Sequence, residues 1–299
     1  MAEQFCRVSP TIELCYETFG SDADPPALLV MGLGVQMISW HEDFCRELAD
    51  RGFHVVRFDN RDAGRSTHVP GPPPTLGQLV RRSRRAAHYL VSDMARDAAG
   101  LLRELDLAPA HVIGPSMGGM IAQTMAARHP ECVRSLTSIM STTGGRLVGQ
   151  PSPLLYPVLV RRPRKGKEAF VEHWVRIFRT IGSRGLEQDV DHFRDVAERG
   201  YERDHDPRAA GRQLAAIIAS GDRTAELRRI AVPTLVIHGT DDRLVLPSGG
   251  RATAKAIPGA RLLMIEGMGH DLPRAAWPRM LDAIVENAAR ADDAVPAAA

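Results

Sequence analysis

A serine between two glycines, in the segment Gly114-Pro115-Ser116-Met117-Gly118, has the type and spacing needed for nucleophilic chemistry. The segment follows a short apolar run and precedes residues with helical spacing, so we expect it at a turn from a strand into a helix. A serine at such a turn projects its hydroxyl from the edge of a sheet, and the free N–H groups at the helix start favour a developing negative charge. The pattern therefore predicts Ser116 as a catalytic nucleophile.

A serine hydroxyl is a poor nucleophile until a base accepts its proton, and among the eleven histidines His270 is best placed to do so. It follows the last predicted strand, in the segment Gly267-Met268-Gly269-His270. The two glycines permit a turn that aims the imidazole toward Ser116. The sequence therefore predicts His270 as the general base.

The base needs an acid that holds its tautomer and stabilises its cation. A buried strand is followed by Gly239-Thr240-Asp241-Asp242, which supplies two adjacent carboxylates. Spacing alone leaves open whether Asp241 or Asp242 takes this role.

Strands and helices alternate along most of the chain, and they must bring these three groups together. After an early strand or hairpin at 8–19, apolar runs predict buried strands at 27–31, 53–58, 111–114, 133–140, 234–238 and 261–265. Helices are predicted at 41–51, 117–129 and 248–257, after an N-cap at Ser92, and after Pro273. This alternation predicts an α/β fold with a mostly parallel, twisted sheet covered by helices on both faces.

Residues 144–222 break the alternation, because they show helical spacing and no buried-strand pattern. Phe170, Trp174 and Phe178 share one helical face there. We predict a core formed by residues 1–143 and 223–299, and a helical cap formed by residues 144–222 over the carboxyl ends of the strands, where such sheets bind ligands. The predicted substrate pocket is lined by Met37, Trp40 and Trp174.

The three motifs resemble the α/β-hydrolase superfamily over nearly the whole chain. The likeness is closest to lipase/esterases and to the aclacinomycin-type methylesterases that tailor anthracycline polyketides. This resemblance implies that Asp242, the third residue after its glycine, is the acid. It also implies an oxyanion hole made by the backbone N–H groups of Leu33 and Met117. Met31, where the family more often has histidine, and Pro115 depart from the usual pattern, but neither removes a required group.

The sequence thus predicts a serine hydrolase that cleaves a carboxylic ester of a small to medium apolar molecule through an acyl-enzyme intermediate. Two alternatives stay open: a cofactor-free haloperoxidase or carbon–carbon bond hydrolase on the same fold, and a non-catalytic small-molecule receptor. No histidine–carboxylate cluster has metal-ligand spacing, and no glycine-rich loop has a dinucleotide fingerprint. We therefore expect neither a metal nor an organic cofactor.

Composition narrows the class of protein further. A net charge of +2 argues against nucleic acid as the main partner, and 44% hydrophobic with 25% charged residues is ordinary for a globular enzyme. Four scattered cysteines, and no apolar run of about 18 residues, lead us to expect a cytoplasmic protein without a transmembrane segment. The basic runs at 81–85 and 161–167 are expected to be solvated faces, with weak contact to an anionic group or a membrane surface as the alternative.

Overall fold

A computed structural model describes residues 2–75, 77–78, 81, 87–159, 165–204 and 206–292. Most of the two basic runs, 81–85 and 161–167, lies outside the described residues, so their predicted solvation is not addressed by the structure. In the part of the chain that is described, no helix has the length and apolar character required to cross a membrane.

Eight strands of the described chain form one sheet in the order β1-β2-β4-β3-β5-β6-β7-β8. The strands are β1 (Gln4–Ser9), β2 (Ile12–Phe19), β3 (Pro26–Val30), β4 (His54–Phe58), β5 (Ala110–Pro115), β6 (Val133–Ile139), β7 (Thr234–Gly239) and β8 (Arg261–Ile265). The hairpin of β1 and β2 and the pairing of β2 with β4 are antiparallel, whereas β4, β3 and β5 to β8 are parallel. The predicted mostly parallel sheet is confirmed, and each boundary predicted for β3 to β8 lies within one residue of the observed one.

Helices cover both faces of this sheet. The helices of the described chain are α1 (Glu42–Ala49), α2 (Val91–Glu104), α3 (Met117–Arg128), α4 (Tyr156–Leu159), α5 (Lys167–Ile181), α6 (Val190–Arg203), α7 (Ala209–Ser220), α8 (Thr224–Leu227), α9 (Ser248–Ala256) and α10 (Trp277–Asp292). Along β3, Leu28 and Val30 pack with α2 and α3 in one apolar cluster, while Ala27 and Leu29 pack with α1 and α10 in another. A strand buried on both faces needs apolar residues at every position, which explains the continuous apolar run.

The start of α2 differs from the prediction. Ser92 does not cap this helix, because the helix begins at Val91 and Ser92 already lies in its first turn. The carboxylate of Asp93 reaches back and accepts the N–H of Leu90 at 2.8 Å. An acid three residues beyond the cap position satisfies a free N–H group in this way, so the cap position itself needs no polar side chain.

The described chain between β6 and β7 contains helices α4 to α8, joined by turns and irregular segments. Helices α5 and α6 pack against each other around Val171, Val175 and Ala197. The aromatic rings of Phe170, Trp174 and Phe178 form a row along α5, with successive centroids 5.8 and 5.0 Å apart. We refer to α4–α7 as the helical insertion, and to the sheet with its remaining helices as the body.

Candidate active site

Ser116 occupies a sharp turn between β5 and α3, with a left-handed backbone at φ 55° and ψ −119°. Both glycines of the motif are required by close backbone approach. A Cβ placed on Gly114 would lie 2.4 Å from the backbone of Gly118, and a Cβ on Gly118 would lie 2.0 Å from the carbonyl oxygen of Val30. A serine held in this uncommon conformation, with its side chain partly exposed, is the geometry expected of a nucleophile at the edge of a sheet.

His270 and Asp242 form a direct pair. The Nδ1 atom of His270 lies 2.7 Å from Oδ2 of Asp242, and both residues are buried. The other carboxylate oxygen of Asp242 accepts the N–H groups of Leu244 and Val245, each at 2.9 Å. A carboxylate in this position selects the Nδ1–H tautomer and leaves Nε2 as the nitrogen that can accept a proton.

The environment of Asp242 keeps this side chain ionised. Burial opposes its charge, but the positive charge of protonated His270 and the hydrogen bonds from His238 and His270 outweigh burial. Together they lower the pKa of Asp242 to about 2. The acid therefore remains a carboxylate throughout the pH range in which enzymes normally work.

Asp241 is placed differently from Asp242. Its carboxylate contacts the hydroxyl of Thr240 at 3.2 Å, and its N–H donates to the carbonyl of Met268 at 3.0 Å. The structure therefore brings Asp242, and not Asp241, to the imidazole of His270.

Both segments that were predicted to form the oxyanion hole reach Ser116. Met117 is the first residue of α3 and directly follows Ser116. The loop after β3 also lies close to Ser116, because a Cβ placed on Gly32 would lie 3.6 Å from the Cβ of Ser116. Leu33 is the next residue in that loop. The oxyanion hole of Leu33 and Met117 therefore stays a prediction, supported by the approach of both segments to Ser116.

A cavity of about 230 Å³ lies between the body and the helical insertion. The loop after β3 contributes Gly34 to its wall, and the insertion contributes apolar and aromatic side chains that include Phe170, Trp174 and Val196. Trp174 therefore lines a cavity, but the residues around this cavity do not include Ser116, Asp242 or His270, so its assignment to the substrate pocket stays a prediction. Two carboxylates, Asp204 and Asp206, also line the cavity on the side of α6 and α7.

Met37 and Trp40, the other two predicted pocket residues, lie in the core instead and line no part of this cavity. Neither side chain has exposed surface. Met37 packs in a small cluster between the body and the insertion, and the ring of Trp40 stacks on that of Phe44 with centroids 5.5 Å apart. A short 3₁₀ helix, Met37–Ser39, turns both side chains inward, a feature that loop composition does not signal.

Sequence reasoning missed His238, which lies beside the acid at the end of β7. Its Nε2 lies 2.8 Å from the carbonyl oxygen of Val245 and 3.4 Å from Oδ2 of Asp242. Both neighbours are acceptors, so Nε2 carries the proton. The sequence does contain a signal for this residue, because a histidine inside a buried apolar run requires a hydrogen-bonding partner.

No group of three or more His, Cys, Asp or Glu side chains within the described residues is arranged to hold a metal ion. The free groups of the site are instead a serine hydroxyl, an imidazole and backbone N–H donors. That set suits acyl transfer.

The amino-acid sequence is similar to those of several known proteins. A sequence profile of the alpha/beta hydrolase fold matches residues 25–273. Rhodomycin D methylesterases from a Streptomyces strain and from Streptomyces peucetius are 31% and 30% identical to this chain, over 91% of it and 94% of each relative. A Mycobacterium tuberculosis protein, provisionally named a non-heme bromoperoxidase, is 28% identical over 87% of this chain and 91% of its own length.

Solved structures agree on the fold. A thermophilic esterase from Thermogutta terrifontis superposes with a TM-score of 0.70 at 23% identity, covering 97% of this chain and 99% of that chain. At this level of identity the similarity concerns the fold alone.

Proposed function

The chain belongs to the alpha/beta hydrolase fold family, and we propose that it hydrolyses a carboxylic ester through an acyl-enzyme formed on Ser116. The buried pair of His270 and Asp242 is the observation that carries this proposal. Strands β5, β7 and β8 are parallel, so the loops that follow them lie at one edge of the sheet. Nucleophile, acid and base therefore share that edge, which is where open α/β sheets bind ligands.

In the proposed reaction, the hydroxyl oxygen of Ser116 attacks the ester carbonyl carbon while Nε2 of His270 takes the hydroxyl proton. The carbonyl oxygen becomes negatively charged and accepts hydrogen bonds from the N–H groups of Leu33 and Met117. His270 then gives its proton to the leaving alkoxide, and the alcohol departs. A water molecule repeats the attack on the acyl-enzyme with His270 again as base, which releases the acid and restores Ser116. Asp242 stabilises the imidazolium in both halves.

The relatives named methylesterases support a methyl ester, or another ester of a small alcohol, as the substrate. We propose that the helical insertion acts as a cap and that its cavity takes the non-reacting part of the substrate. Phe170, Trp174 and Val196 make much of this wall apolar. Each methylene that the substrate buries there contributes about 0.8 kcal/mol until the space is filled. Esters with a bulky or medium-length apolar part should therefore react faster than acetate esters.

We also propose the cytoplasm as the location. The described cysteines are free thiols, and three of them, Cys15, Cys45 and Cys132, are buried. Buried thiols without a disulfide partner fit a reducing compartment.

Fluorophosphonate labelling and a chromogenic ester test the proposal directly. The label should map to Ser116, and the wild type should show a burst followed by turnover. Ser116→Ala should lower kcat at least about 10⁴-fold, because loss of the nucleophile leaves only binding and the oxyanion hole. Ser21→Ala, which changes an exposed loop serine, is the matched control and should retain activity.

Three outcomes would argue against the proposal. Labelling of another serine, together with full activity of Ser116→Ala, would show that Ser116 is not the nucleophile. Binding of esters without a burst or turnover would indicate a receptor. Bromide oxidation with hydrogen peroxide that is faster than ester turnover would favour the haloperoxidase activity to which one relative's name points.

A further inference from the structure

The end of helix α5 is bonded to the loop that carries the catalytic histidine. The N–H of His270 donates to the carbonyl of Ile181 at 2.9 Å, and the N–H of Gly269 donates to the hydroxyl of Ser183 at 2.9 Å. The Ser183 hydroxyl donates in turn to Oδ1 of Asp271 at 2.5 Å, and the Ser183 N–H donates to the same oxygen at 2.9 Å. Three consecutive residues around the imidazole are thus bonded to the helical insertion.

This contact leaves little room for movement. A Cβ placed on Gly269 would lie 2.3 Å from the backbone of Gly182, so the histidine loop and the segment after α5 are in direct backbone contact. Ser183 and Asp271 are buried, and burial raises the pKa of Asp271 in spite of its bonds from Ser183. The loop cannot shift unless the end of α5 shifts with it.

The insertion also contacts the loop after β3, which lies close to Ser116. The N–H of Gly34 donates to Oε1 of Gln213, on α7, at 2.7 Å. The Nε2 of Gln213 donates to the carbonyl of Arg61 at 2.9 Å, and the Gln213 side chain has no exposed surface. Gly34 follows Leu33, whose N–H is proposed as an oxyanion donor. Gln213 therefore ties that donor's loop both to the insertion and to the loop after β4.

We propose that Ser183 and Gln213 are positioning residues through which the helical insertion holds the catalytic base and the oxyanion loop in place. The inference rests on the proposed function. It assigns the insertion a part in the chemistry in addition to covering the substrate. The physical reason is that both loops hydrogen-bond to the insertion, and a shift of about 1 Å in a reacting group can cost about 100-fold in rate.

Two substitutions test the two contacts separately. Ser183→Ala removes the hydroxyl that joins Gly269 to Asp271, and Gln213→Met removes the acceptor for Gly34 at nearly unchanged side-chain length. Each should lower kcat by about 10-fold to 100-fold while KM stays within about threefold. The rate constant for phosphonylation of Ser116 by a fluorophosphonate should fall to the same extent, because that reaction uses the same base and oxyanion donors.

Two matched controls leave both contacts intact. Thr180→Ala removes a hydroxyl near the end of α5 that, among the described residues, donates to the carbonyl of Arg176 in its own helix. Gln150→Met changes an exposed glutamine. Both should retain kcat within about twofold. Asp271→Asn keeps an oxygen that accepts from Ser183 and should stay near the wild-type rate, whereas Asp271→Ala should resemble Ser183→Ala.

An unchanged kcat in folded Ser183→Ala and Gln213→Met would overturn the inference, and so would a loss confined to KM, which would make these residues part of a substrate roof. Thermal unfolding identifies variants that do not fold. If Ser183→Ala is one of them, Gln213→Met and the contrast between Asp271→Ala and Asp271→Asn decide the question. Failure of the wild type to label at Ser116 would instead overturn the proposed function, so the two failures are distinguishable.

Discussion

The body and the helical insertion are packed in different ways. In the body, apolar clusters on both faces of the sheet contain many side chains without any exposed surface, such as Leu28, Val56 and Leu29. The insertion has a small cluster around Val171, Val175 and Ala197, and its row of aromatic rings is only half-buried. The body therefore carries most of the apolar burial that stabilises the fold, and the insertion depends on its contacts with the body.

The two regions also differ in what they contribute to the site. The body supplies Ser116, Asp242 and His270 on loops that follow its own strands. The insertion supplies cavity walls and polar contacts to two of the loops around the nucleophile. Under the proposed function, the body defines the reaction, whereas the insertion aligns the groups and selects the substrate. Each prediction below tests one side of this division.

The largest effect should come from the acid in the body. Asp242→Asn should lower kcat by about 10⁴-fold, because an amide favours the wrong tautomer of the imidazole. Asp241→Asn is the matched control, with the same chemical change one residue away. It should stay within a few-fold of the wild type, since Asp241 contacts Thr240 and not His270. Steady-state kinetics on one chromogenic ester measures both.

Equal losses in the two variants would mean that the distinction between the adjacent carboxylates is incorrect. A larger loss in Asp241→Asn would transfer the acid's role to that residue. Labelling of Ser116 with fluorophosphonate in both variants would show that the nucleophile is still in place.

Much of the body could be predicted from sequence because each of its features has a local cause. A strand buried on both faces has a continuous apolar run, and the turn at Ser116 excludes side chains at Gly114 and Gly118. The choice between Asp241 and Asp242 was different. Two adjacent residues in a turn point in different directions, and only the resemblance to a known family separated them before the structure placed Asp242 on the imidazole.

The contacts of the insertion could not be predicted in this way. Ser183 and Asp271 are 88 positions apart in sequence, and Gly34 and Gln213 are 179 apart. Nothing in the local pattern around either pair indicates the other member. The same limit explains Met37 and Trp40, because the direction of a loop side chain depends on the backbone turn that carries it.

A matched pair of valines tests the difference in packing. Val56 has no exposed surface and lies in the body, whereas Val175 is 7% exposed and lies in the insertion. We expect Val56→Ala to lower the free energy of unfolding by about 2–3 kcal/mol, and Val175→Ala to lower it by about 1 kcal/mol. The closely packed site cannot collapse around the lost methyl groups, whereas the smaller cluster can relax. Urea denaturation gives both values.

The effects of these two substitutions on KM should have the opposite order. Folded Val56→Ala should keep its KM, because the sheet core does not contact substrate. Val175→Ala should change KM, since it lies one residue from Trp174 on a cavity-lining helix. If both substitutions lower the free energy of unfolding equally and leave KM unchanged, the proposed distinction between the two regions is wrong.

The smallest effect should be on the choice of substrate, and it concerns the cavity wall. Trp174→Ala should reduce kcat/KM for esters of medium-length acids by about 10-fold and leave acetate esters within about twofold, because only the longer chain reaches the lost apolar surface. Phe178→Ala is the matched control. Its ring lies 5.0 Å from that of Trp174 in the same aromatic row, but it does not line the cavity. Removing it should weaken the packing of the insertion without changing the dependence on chain length.

The measurement is kcat/KM for the wild type and both variants, over acyl chains from acetate to palmitate and several methyl esters of large ring systems. If the wild-type profile is flat or highest at acetate, or if both variants lose activity equally on every ester, the cavity between the insertion and the body does not determine specificity.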